Sequence, residues 1–151
     1  MLGWFKRWFP KSYATYLVQV ERSLPAMDAS SAVFPTVREI ANSLVLAYYL
    51  APDCDKSALV QFDEVGIWTY GYPNDEGLHQ HPLYRNGLKY YEFHRIDSND
   101  DYPFNWIATF HDGTLSLQAS DVRVLEQSMA LSPWELIDYQ FGVGENRILD
   151  E

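Results

Sequence analysis

The sequence predicts an α+β domain: a mainly antiparallel sheet of about five to six strands, in a single layer packed on two or three helices. Three observations lead there. Trp106, Ala108 and Phe110 alternate before Asp112-Gly113, and Leu115, Leu117 and Ala119 alternate after it, which is the pattern of a β-hairpin. Thr36-Val37-Arg38-Glu39 and Ser132-Pro133-Trp134-Glu135 each have the form of a helix capping box. A chain of 151 residues, 47% hydrophobic, without internal repeats or shifts in composition, has enough apolar surface for one core and reads as a single domain over 1–151.

In chain order, residues 1–11 form an aromatic and basic segment. Trp4, Phe5, Trp8 and Phe9 would share one side of a short helix beside Lys6, Arg7 and Lys11, a pattern that suits contact with a membrane surface. So short a helix is not stable alone, and the segment lacks the apolar run and cleavage site of a secretory signal. Docking on the domain's own core is the preferred reading, because aromatic side chains bury so much area. Tyr13 to Val20 reads as a first strand, with Glu21 to Leu24 as a competing helical continuation, and Pro25 to Pro35 as a loop.

A helix is expected from Thr36, because Val37, Ile40, Ala41, Leu44, Val45 and Tyr48 fall on one stripe and Pro52 stops it. The competing reading is a strand over Ser43 to Leu50. Beyond the turn at Pro52 to Lys56, Ala58 to Phe62 and Gly66 to Tyr72 read as strands joined near Asp63 and Glu64, and Lys89 to Ile96 as a further strand. An acidic turn of Asp97, Asn99, Asp100 and Asp101 precedes the hairpin. A helix over Pro133 to Phe141, capped by Ser132 and stopped by Gly142, closes the chain.

The 11 basic and 21 acidic residues give a net charge of -10, which repels phosphate backbones and anionic lipids. Nucleic acid is therefore not an expected ligand, and a basic protein is. Cys54, the single cysteine, excludes a disulfide scaffold and suits a reducing, cytoplasmic compartment. No run of the sequence is long and apolar enough for a transmembrane helix.

Four histidines invite a metal reading. His79 and His81 form an H-x-H pair, and in an extended segment both would face one ion, with His111 or His94 arriving from a neighbouring strand. Gly77-Leu78-His79-Gln80-His81 distantly resembles the start of a cupin motif, which implies a small enzyme using a divalent transition metal on His79, His81 and His111. The resemblance then fails, because Arg85 and Asn86 stand where the cupin glutamate belongs. His111 and Asp112 are neighbours on a strand and point to opposite faces, so they are read as turn residues. Asp75 and Glu76 likewise sit in a turn. Cys54 lies between Asp53 and Asp55, which suppress thiolate formation, and the scattered glycines make no phosphate loop.

Tyr70-Gly71-Tyr72-Pro73-Asn74-Asp75-Glu76-Gly77, His81-Pro82-Leu83-Tyr84 with Gly87-Leu88, and Thr109-Phe110-His111-Asp112-Gly113-Thr114 resemble, in that order, segments of a group of small acidic bacterial proteins of no established activity. The resemblance spans Ser57 to Ala119 and implies no catalytic residues. By analogy with small acidic bacterial proteins that neutralise basic toxins, the expected role is a non-enzymatic binding protein of immunity or antitoxin type. Its contact is expected at Tyr70, Tyr72, Asp75, Glu76 and Tyr84, with Asp97, Asp100 and Asp101, because carboxylates beside tyrosines recognise Arg and Lys. Pro73 and Pro82 would stiffen that loop, and Tyr84 and Leu88 would anchor its exit.

Overall fold

The computed structural model describes residues 16–29, 34–52, 54–97 and 102–149. The first strands are β1 (Leu17–Val20), β2 (Thr36–Ile40), β3 (Ser43–Tyr49), β4 (Ser57–Asp63) and β5 (Trp68–Gly71). They are followed by β6 (Phe93–Asp97), β7 (Trp106–Thr109), β8 (Thr114–Leu117) and β9 (Asp121–Met129), then helix α1 (Pro133–Phe141) and β10 (Arg147–Ile148). Two five-stranded antiparallel sheets result, in the orders β1-β6-β7-β8-β5 and β10-β2-β3-β4-β9.

The expected single sheet layered on two or three helices is thus incorrect: the described residues hold two sheets and one α-helix. The helix expected from Thr36 is the hairpin β2–β3, with Ile40 paired to Ser43 across a two-residue turn whose first residue, Ala41, has a φ of 53°. Thr36 lies buried in a strand rather than at a helix cap. The competing strand reading of Ser43 to Leu50 is the one the structure adopts. β3 misleads because it is covered on both faces, and a strand buried twice loses the polar half of its alternation.

The layers show why. Leu44, Leu46 and Tyr48 of β3, with Ala58, Val60 and Phe62 of β4, face Phe93, Trp106, Ala108, Leu115 and Leu117 of the other sheet in the main core. Phe62 meets Trp106 edge-on at 5.6 Å between ring centres, and Tyr48 lies 5.3 Å from Phe93. Such ring pairs add about 0.5–1.5 kcal/mol beyond the area they bury. The alternate residues Val45, Ala47 and Leu59 face outward against Leu136 and Ile137 of α1. On the opposite outer face, Val18, Ile96 and Ile107 are covered by Leu78, Leu83 and Leu88 of the segment between β5 and β6. The order is therefore loop, sheet, sheet, helix.

Several local expectations hold. β1, β4, β5, β6, the β7–β8 hairpin and α1 lie within or close to the stretches expected, and Ser132 caps α1 with the reciprocal bonds of a capping box. β4 and β5 are joined just after Asp63, close to where the sequence places the joint, and the chain crosses there from one sheet to the other. The hairpin turn differs: Thr109 pairs with Thr114, leaving a four-residue loop, and neither Asp112 nor Gly113 has a positive φ. Gly113 serves proximity instead, since a Cβ there would lie 2.6 Å from Cζ of Tyr70. The N-terminal segment with Trp4, Phe5, Trp8 and Phe9, and the acidic pair Asp100 and Asp101, lie outside the described residues.

Candidate functional site

β5 and β8 pair so that Gly71 lies opposite Thr114. The residues leaving β5 therefore run beside the 110–113 loop. Thr114 Oγ1 donates to Pro73 O at 2.7 Å, and Asn74 Oδ1 accepts from Gly77 N–H at 3.0 Å, which closes an Asx-type turn over Asp75 and Glu76. Two short 3-10 helices follow, Leu78–Gln80 and Tyr84–Asn86, and Leu78 of the first and Leu83, just before the second, pack onto the sheet below. Leu88 anchors the exit as expected, and Thr109 Oγ1 then ties the chain down by donating to Lys89 O at 2.7 Å.

Asp75 is the centre of this end of the sandwich. Its Oδ2 accepts from Tyr91 O–H at 2.6 Å and lies 2.7 Å from His111 Nδ1, while its backbone N–H donates to His111 O at 3.1 Å. Burial alone would raise the Asp75 pKa, but the bonds from Tyr91 and His111 outweigh it and hold the carboxyl below its ordinary value. The same bond to Asp75, with burial and the nearby charge, pushes the Tyr91 phenol up to about 12. Tyr91 also sits at a φ of 59°, a left-handed conformation that costs a residue with a Cβ about 1–2 kcal/mol. The Asp75 bond and the ring contacts hold it there: Tyr90 lies 6.1 Å from Tyr91 and 6.5 Å from Tyr84.

Of the residues singled out in the sequence, Tyr70, Tyr72, Asp75, Glu76 and Tyr84 gather at this end, with Tyr72 and Glu76 exposed and Tyr70 packed beside Phe110. Asp97 does not join them. It closes the far end of β6, opposite Leu17, and the strand between is about 13 Å long at ~3.3 Å per residue. Sequence reasoning misses Tyr90, Tyr91 and the partnership of Asp75 with His111: it sets Asp112 aside as a partner and reads Asp75 as a turn residue.

The histidines are held separately. His79 is exposed on a 3-10 helix and His81 caps it, so the pair lacks the shared face that a strand would give. His81 Nδ1 accepts Leu83 N–H at 3.0 Å. His94 is fully buried, its Nε2 accepting Lys89 N–H at 2.9 Å and its Nδ1 lying 3.1 Å from Ile107 O. Burial lowers both His81 and His94 to about 4, with the charge of His94 adding to the effect on His81. Among the described residues, no three His, Cys, Asp or Glu side chains are grouped to hold a metal ion.

Comparison of the chain with family models, curated proteins and solved structures found no match. Among the described residues no helix is long and apolar enough to cross a membrane.

Proposed function

We propose that this chain is a non-enzymatic, cytoplasmic binding protein of immunity or antitoxin type that engages a basic protein. The observation that carries the reading is the Asp75 carboxylate, held ionised between Tyr91 and His111 and bordered by the exposed rings of Tyr72 and Tyr90 and by Glu76. A fixed carboxylate beside tyrosine faces recognises a guanidinium or ammonium group through charge and cation–π contact, and preorganisation spares the ordering cost. The net charge of -10 adds long-range steering towards such a partner. Asp97, at the far end of β6, is a more distant acidic group of the same proposal, to which the sequence adds Asp100 and Asp101, outside the described residues.

The test starts from affinity purification in the native host and identification of what co-elutes. Association of that partner is then timed with Glu76→Lys, Tyr72→Ala and Asp97→Lys. Glu76→Lys should slow association several-fold at low salt, Tyr72→Ala should speed dissociation, and Asp97→Lys should do less than either. Unchanged rates for Glu76→Lys and Tyr72→Ala would remove this face from the contact.

A further inference from the structure

Five of the nine exposed large hydrophobic side chains among the described residues, Trp134, Tyr139, Phe141, Val143 and Ile148, lie between residues 134 and 148. They belong to α1 and the segment after it, on the outer face of the sandwich opposite to the Asp75 loop. Val143 is 93% exposed, the highest of the nine. An exposed valine alone needs no explanation. What sets this one apart is the support beneath it.

Val143 stands between Gly142 and Gly144 on a loop pinned by Arg38, a guanidinium only 9% exposed. Arg38 donates to Gly142 O at 2.8 Å, to Asn146 Oδ1 at 2.8 Å and to Asp138. Asn146 Nδ2 in turn donates to Asp138 Oδ1 at 3.0 Å and Trp134 O at 3.2 Å. The guanidinium lies so close under Gly144 that a Cβ there would come within 3.0 Å of Cζ. A buried cation and a glycine at close approach thus fix a loop whose outward side chain is apolar. Preorganising an apolar anchor in this way lowers the ordering cost of docking.

Charge selects the occupant. Residues 124–146 contain Glu126, Glu135, Asp138 and Glu145 and no Lys, Arg or His. The three arginines at its border are engaged, Arg38 with Asp138, Arg123 with Asp63 at 3.3 Å and Arg147 over the Trp68 ring at 5.0 Å, so the negative charge of the stretch comes from Glu126, Glu135 and Glu145. A second copy would bring like charge against like, whereas a basic surface would be attracted.

We propose that the Val143 loop and the adjoining Trp134–Asp138–Phe141 stripe of α1 form a second docking surface, for a basic protein segment with an apolar centre that seats on Val143, Trp134 and Phe141. The probe is a fluorescently labelled amphipathic helix built of leucine and lysine, titrated by anisotropy against the full chain. Val143→Ser and Phe141→Ser, at exposed positions that leave the core intact, should together weaken binding roughly tenfold. Glu145→Gln should flatten its salt dependence. Equal affinity for the wild type and the double variant would overturn the proposal. So would sedimentation showing a wild-type dimer that Val143→Ser converts to monomer, which would assign the face to a second copy.

Discussion

His94 gives the chain a built-in sensitivity to acid. Its imidazole is enclosed, and both ring nitrogens are used by backbone groups when the ring is neutral, Nε2 as acceptor from Lys89 and Nδ1 as donor to Ile107. Protonation would turn Nε2 into a donor facing another donor, inside a low-dielectric layer. Its pKa accordingly drops from 6.5 to about 4 on folding, burial being the main cause. The unfolded chain therefore binds the proton more readily than the folded one. The neutral ring's contribution is complete above 6.5 and is lost as pH falls through that value towards 4.

Linkage between those two values amounts to about 2 kcal/mol lost at a pH of about 5. His81, lowered to about 4 by burial and then by the charge of His94, adds a loss of the same sign. His94→Gln is the informative variant, because a glutamine amide can both accept from Lys89 and donate to Ile107 without a proton to gain. Urea unfolding followed by tryptophan fluorescence, at about pH 7 and about pH 5, gives the stability of each form. The wild type should lose about 2 kcal/mol more than His94→Gln between the two conditions. Carboxylates common to both proteins cancel in that difference. If the two proteins lose stability equally, the His94 ring is not the acid-sensitive group and the argument from its enclosure fails.

Arg38→Met should destabilise by about 3 kcal/mol, because it strands Asp138, Asn146 and Gly142 O around a buried site, and a chain of this length should then melt about 6–12 °C lower in calorimetry. Ser132→Ala removes the cap of α1 and should cost about 1 kcal/mol in chemical unfolding, with the sheets unchanged by NMR. Tyr91→Phe deletes one of the two side-chain donors to Asp75, so the Asp75 carboxyl should titrate at higher pH when followed by carbon NMR; an unmoved titration would show that this bond does not govern the site.

How far the sequence reveals this molecule depends on what lies against each strand. In the β7–β8 hairpin the outward positions include Thr109, Thr114 and Ser116, so a period of two survives and the hairpin is legible. In β3 the outward positions are Val45 and Ala47, apolar because α1 lies on them, and the run loses its alternation and passes for a helix. The capping pattern at Thr36 then reinforced the wrong period, whereas the same pattern at Ser132 was followed by polar positions and proved a true helix start. The site follows a different logic. Asp75 and His111 are 36 residues apart, and no local motif joins them. What joins them is register: once Gly71 stands opposite Thr114, the residues just after β5 must run beside those just before β8, and Asp75 meets His111. The motif Phe110-His111-Asp112-Gly113 is visible in the sequence and Asp112 is rightly set aside as a partner of His111, but without the strand pairing nothing points from His111 to Asp75. Asp97 fails to join the site for the same reason in reverse. It lies near the loop in sequence, yet β6 carries it to the other end of the sheet.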